Sequence, residues 1–174
     1  MNSIFVKFML VIVFLGLGLA LLFLKLDAQF GVGSLGAVGS WMFPTSKKEL
    51  VLAIDSLFAM QPRYILPKEL DTRYNNWKEG GYDFLDSRLF YFDKKPREIY
   101  YVSFYGDASD SIQANPNLTG ISVRSVISVS GIKGWQNDSD MSNTEMHRVL
   151  DRFDKEIVSK LETYTNTKAI KEKD

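Results

Sequence analysis

The chain has no cysteine and a single histidine in 174 residues. The first absence excludes structural disulfides, thiolate zinc sites, iron–sulfur clusters and a cysteine nucleophile. The second excludes a metal site built from several histidines of one chain. As a general base, His147 would need an orienting carboxylate and a nucleophile. Only Asp151, four residues on, is spaced to meet it on a helix face, so a helix-surface role is expected. Net charge is missing too, since 21 Lys+Arg balance 21 Asp+Glu. A nucleic-acid binder needs a basic excess against the phosphates, and none is present. The local exception, Lys94, Lys95 and Arg97, reads as a solvated turn or a contact for anionic headgroups.

Cofactor signatures are absent as well. There is no G-x-x-x-x-G-K-[ST], no G-x-G-x-x-G and no G-x-S-x-G. No cofactor, metal or catalytic set is expected. Asn137-Asp138-Ser139-Asp140 resembles the start of a calcium loop. However, Asn143 stands where the glycine belongs and Val149 where the glutamate belongs. Turn and capping roles are expected for Asp107, Asp110, Asp138 and Asp140. A carboxylate-based hydrolase using Asp107 or Asp138 is the weakest of three functional readings.

What the chain does have is one long apolar run. Residues 8–24 read FMLVIVFLGLGLALLFL, 17 residues without a charge. As a helix they span roughly 25 Å against a hydrocarbon layer of about 30 Å. Lys7 and Lys25 flank the run and can snorkel, so residues 4–26 cover roughly 35 Å. A single-pass signal-anchor helix over about 4–26, within an anchor of residues 1–27, is therefore expected. The competing reading is a cleaved signal peptide. Its apolar core usually runs about 7–15 residues, and Leu26-Asp27-Ala28 puts a large residue where a small one is wanted. The six residues before Lys7 are too few to hold a domain, so the N-terminus is expected to be cytoplasmic and the C-terminal domain outside. A bacterial inner membrane with a periplasmic domain is the preferred reading, and a mitochondrial inner membrane is the alternative.

Residues 28–43 (AQFGVGSLGAVGSWMF) are expected to form a glycine-rich, apolar stalk. Trp41 and Phe43 then either cap the domain or face a partner. A soluble domain is expected over 44–164, followed by a frayed polar tail over 165–174. Ser46-Lys47-Lys48-Glu49 is a capping box, followed by Leu50, Val51, Ile54, Leu57 and Phe58 at helical spacing. Ser142-Asn143-Thr144-Glu145 repeats the device, with Met141 and Met146 at the staple positions. The stripe Met146, Val149, Leu150, Phe153, Ile157, Leu161, Tyr164 predicts one long amphipathic helix.

Between these helices the period changes to two. RLFYFD (88–93) and EIYYVSFY (98–105) predict a hairpin around Lys94, Lys95, Pro96 and Arg97. Ile121, Val123, Ile127 and Val129 predict a third strand, with Ser122 and Arg124 on its wet face. Residues 63–66, 82–85 and 132–136 are candidate short additions. The expected fold class is α+β: two layers, an antiparallel sheet with two amphipathic helices on one face, in the order α-β-β-β-α.

Alternation puts aromatic side chains on both faces of the hairpin, and two helices can cover only one. Tyr91, Tyr100, Tyr101 and Tyr105, together with Trp41 and Phe43, are thus the candidate partner-interface residues. The leading expectation is a non-enzymatic membrane protein, an accessory or assembly subunit of a larger membrane complex. The alternative is a membrane-tethered module binding a lipid or other apolar molecule.

Overall fold

The structure is a computed structural model that describes residues 36–75, 86–105, 116–131 and 134–172. The chain divides into two compact units, Met1–Leu35 and Gly36–Asp174, and the second is the domain described below. The expected anchor, the possible extension at 82–85, and Asp107 and Asp110 lie outside the described residues. Among the described residues no helix is long and apolar enough to cross a membrane.

The domain is α+β. Its elements run β1 (Gly39–Phe43), α1 (Lys47–Met60), a 3-10 turn (Pro62–Tyr64), α2 (Lys68–Tyr74), β2 (Ser87–Phe92), β3 (Glu98–Tyr105) and β4 (Thr119–Ser128). They continue with a second 3-10 turn (Asp138–Asp140), α3 (Asn143–Phe153), a π-helical turn (Asp154–Val158), α4 (Ser159–Thr165) and β5 (Ile170–Lys171). The strands form one antiparallel sheet in the order β2-β3-β4-β1-β5.

The expected helix starts are realised by capping. The Ser46 side chain accepts from the Glu49 amide while Glu49 reaches back to the Ser46 amide. Ser142 likewise caps the Glu145 amide. Glu145 itself lies 4.0 Å from Arg148. The hairpin forms as predicted, with Phe90 opposite Tyr100 and Tyr91 opposite Ile99.

Four expectations change. The stalk was expected to run to residue 43, yet Gly39–Phe43 is a strand inside the sheet, paired with β4 on one side and β5 on the other. Its alternation explains this. Gly39, Trp41 and Phe43 point to the main core, and Gly39 leaves room for Leu150, whose Cδ2 would lie 2.4 Å from a Cβ there. The frayed tail is also corrected. Asn166 takes a left-handed conformation that ends α4. Glu162 then accepts from the Ala169 amide and from Lys168, steering Ile170 and Lys171 onto the edge of β1. The candidate strand at 63–66 begins within the 3-10 turn Pro62–Tyr64, and in the described part of 132–136 Gln136 forms a bridge to Val126.

The fourth correction concerns the layers. The register of β3 against β4 jumps between Tyr101/Ser125 and Val102/Val123, leaving Arg124 as an extra residue. Such a bulge reverses which residues face which side. Ile121, Val123 and Val126 therefore join the main core, whereas Ile127 joins the opposite face. That opposite face is not bare, because α2 lies on it. Tyr74 packs there with Tyr91, Ile99 and Ile127, and Leu66, Leu70, Leu89 and Trp135 complete the cluster. The domain thus has a helical cover on both sheet faces, not on one.

The main core lies between the sheet and α1, α3 and α4. Phe153 is its hub. Its ring meets Trp41 at 5.1 Å, Phe90 at 5.6 Å and Tyr100 at 5.9 Å between centroids. The π-helical turn that follows brings both Ile157 and Val158 inward and leaves Tyr164 40% exposed, off the predicted stripe. Phe153→Ala removes that hub and should cost about 3–5 kcal/mol, read from denaturant unfolding of the full chain in detergent. A loss below about 1 kcal/mol would show that the site collapses freely.

Capping also makes an acid dependence. Hydrogen bonds from Thr45, then from the Ser46 amide and hydroxyl, hold the Glu49 carboxyl below its ordinary value of 4.5. Glu162 is lowered likewise, first by Lys168. A lowered folded-state value means stability is present above the unfolded pKa and is lost as pH falls through the folded one. Unfolding midpoints should therefore decline as the pH drops below about 4.5. In Glu49→Gln the decline should be shallower, and an identical pH profile in that variant would contradict the assignment.

Candidate functional site

The structure places the six candidate aromatics inside the domain. Trp41, Phe43 and Tyr100 are in the main core, at 1%, 0% and 0% exposure. On the second face Tyr91 packs with Tyr74 in a buried cluster, and Tyr101, 1% exposed, meets the Trp135 ring edge-on at 6.5 Å. Only Tyr105 is half-buried. For Tyr91 and Tyr101 the cover comes from α2 and Trp135 of the same chain, and for Trp41, Phe43 and Tyr100 from the main core. Between the sheet and the helices the rings of Trp41, Phe90 and Tyr100 pack around Phe153. His147 is exposed, as expected. Asp138 and Asp140 belong to a turn in which Asn137 caps the Ser139 amide and Asp140 accepts from the Asn137 amide. Among the described residues no group of three or more His, Cys, Asp or Glu is arranged to hold a metal ion.

Two polar clusters that the sequence reading passed over stand out instead. The first surrounds Glu98, which opens β3 on the helix-facing side and is 3% exposed. A buried carboxylate is costly unless paired and hydrogen-bonded. Here both oxygens are used. Arg148 donates to Oε1 and Oε2, Arg152 donates to Oε2 at 3.1 Å, and the Tyr100 hydroxyl donates at 3.1 Å. The Glu98 hydrogen bond holds the Arg148 guanidinium above its ordinary pKa. Burial, and then the charge of Glu98, raises that of Tyr100 and keeps its proton in place.

Arg152 extends the cluster in both directions. It donates to the carbonyls of Pro96 (2.6 Å) and Lys94 (3.0 Å) and lies over the Phe92 ring at 4.6 Å. It also bonds Glu156, which accepts from Tyr64. The hairpin turn, the helix and the 3-10 turn are thereby tied by one chain of charges. Every member has partners, and this reads as structural chemistry.

The second cluster is less complete. Arg124, the extra residue of the bulge, lies on the second face beside the polar end of the sheet. Its Nε donates to the buried Ser103 hydroxyl at 2.8 Å and its Nη1 to the Gly36 carbonyl at 3.3 Å. Among the described residues it makes no ion pair. Burial holds its guanidinium below the ordinary value, and only the hydroxyls of Tyr105 and Tyr101 oppose that shift. The Tyr105 ring lies flat across Gly120, where a Cβ would come within 2.2 Å of it. Its hydroxyl approaches Ser40 and Glu172, and burial followed by Glu172 raises its pKa. It has no well-aligned hydrogen bond, and neither does the buried Ser125 hydroxyl beside Arg124 in the bulge.

Both clusters had faint sequence signals. Glu98 is a lone carboxylate at the head of an apolar strand. Arg124 sits where the alternation of 121–129 changes phase. Neither signal separates a buried charge from a solvated one.

No protein-family model matches this chain, and neither does a curated protein or a solved structure.

Glu98→Gln leaves Arg148 and Arg152 facing each other without their shared anion. Breaking a buried pair in this way should destabilise by about 3 kcal/mol in denaturant unfolding. Arg148 is 38% exposed at its side chain, so solvent screens it, and Arg148→Ala should cost clearly less. The reverse ranking would mean that the buried carboxylate is not the organising charge.

Proposed function

We propose that this is a non-enzymatic, single-pass membrane protein, an accessory or assembly subunit of a larger membrane complex, with its α+β domain on the non-cytoplasmic side. One observation carries the reading: the 17-residue uncharged run at 8–24. At roughly 25 Å it is too long for an ordinary signal-peptide core, and with its flanks it is long enough to span a bilayer. What supports a non-enzymatic role is the way the domain spends its polar groups. Glu98, Arg148, Arg152 and Glu156 are paired with one another in a structural network. The acids of the 137–140 turn cap it.

Partner contact needs an exposed apolar surface, and the aromatic sheet face does not provide one. The large apolar side chains left outside include Leu52 at 55%, Met60 at 72% and Tyr164 at 40% exposure. Leu52, Ser56 and Met60 follow one another at four-residue spacing along α1, so they share a helix face. Leu52 and Ser56 line one wall of an open groove of about 490 Å³, and Tyr164, Thr165 and Thr167 line the other. A neighbouring subunit at the membrane would meet these positions.

Purification of the intact chain in mild detergent from its native source should recover stoichiometric partners. Exchanging Leu52 and Met60 for aspartate touches exposed positions and should leave the fold within about 0.5 kcal/mol of the parent. The partners should nonetheless be lost. A clean monomer at native expression would sink the reading, and partners retained by the double variant would move the contact elsewhere.

A further inference from the structure

The last strand of the sheet differs from the others in what holds it. β5 is two residues long, with Ile170 opposite Met42 and Lys171 opposite Trp41. A further backbone bond runs from the Glu172 amide to the Ser40 carbonyl at 3.0 Å. Both strand residues are exposed, Ile170 at 61%, so the strand adds little apolar burial. Its approach is tied by polar groups, with Ala169 packed against the main core between them. Glu162 accepts from Lys168 at 2.8 Å and from the Ala169 amide at 3.0 Å. The Lys171 ammonium lies 5.6 Å from the centre of the Trp41 ring. A segment held by a few backbone bonds and exposed charges opens far more easily than a core strand.

β1 beside it is of the opposite kind. It reads GSWMF, with Trp41 and Phe43 at 1% and 0% exposure. β4 takes one side of it and β5 the other. With β5 lifted away, β1 becomes the margin of the sheet. An uncharged edge strand with open N–H and C=O groups is a template for another strand. β5 is the kind of margin that does not template, being short and set among Lys168, Lys171, Glu172 and Lys173.

We propose that β5 is an autoinhibitory strap, which closes the β1 edge against antiparallel pairing with β1 of a second copy of this chain. A second copy fits because β1 can meet itself across a two-fold axis. Centring that pair on Trp41 sets Ser40 of each copy opposite Met42 of the other and Gly39 opposite Phe43, with no charge to repel. The inference does not rest on the membrane-subunit reading, because strap and edge both belong to the unit Gly36–Asp174.

The test compares the full chain with one ending at Thr167, in the same uncharged detergent, by sedimentation velocity over a range of concentrations. Association through other parts of the chain is common to both. Removing residues 168–174 should strengthen self-association at least tenfold. Hydrogen exchange locates the contact. The Ser40 and Met42 amides face β5 in this register. They should exchange faster than in the parent when the shortened chain is dilute, and regain protection as it associates. Adding Met42→Lys to the shortened chain charges the opened edge and should restore the parent's behaviour. Ile170→Pro deletes the strap amide opposite Met42 and leaves the rest of the tail, so it should give part of the effect. It keeps the test decisive if the shortened chain fails to fold. Folded shortened or Ile170→Pro chains that associate no more than the parent would overturn the proposal, as would association that Met42→Lys leaves unchanged.

Discussion

β3 reads EIYYVSFY and seven of its eight residues are buried, which makes it a strand with no water-facing side. A strand of this composition cannot stand in a half-covered sheet, because Tyr101 and Ile99 would face solvent while Tyr100, Val102 and Phe104 packed inward. Much of the domain follows from that constraint. α1, α3 and α4 take one face. α2 and Trp135 take part of the other. β4 must serve both layers, and its bulge at Arg124 lets it do so by moving Val126 to one core and Ile127 to the other.

Covering both faces has an electrostatic consequence. Glu98 sits at the head of β3, where the helices close over the sheet, so its charge had to be enclosed with it. The two arginines of α3 meet it there, and one of them, Arg152, also closes the hairpin turn and reaches the 3-10 turn through Glu156 and Tyr64. Replacing such a network with apolar groups of similar volume need not weaken a protein. Its value here is orientational. It fixes which stretch of helix lies over which end of the hairpin. Arg124 is the contrast. It too is drawn into the protein by the sheet, yet among the described residues its partners are a hydroxyl and a carbonyl.

The functional reading shifts accordingly. An aromatic sheet face had seemed the natural place for a partner, and the chain uses it for its own second core. The apolar side chains left exposed on α1, Leu52 and Met60, are ones that a pattern of strand alternation would not select.

Local rules were legible in advance. Ser46 and Ser142 announced their helices because capping depends on a few consecutive residues. The hairpin announced itself because alternation and a turn are also local. The sequence alone determined the α+β class, the two capped amphipathic helices, the β2–β3 hairpin, and the lack of cysteine and multi-histidine chemistry. Only the tertiary structure decided that residues 39–43 are a strand rather than a stalk, since a strand of five residues is defined by the β4 backbone that it meets. Only it decided that the tail returns as β5 and that α2 roofs the second face. It alone settled that Glu98 is enclosed and Arg124 stands at a bulge. The physical reason is the same in each case. Burial and pairing are properties of what arrives from far along the chain, and a residue's own neighbours in sequence do not carry that information.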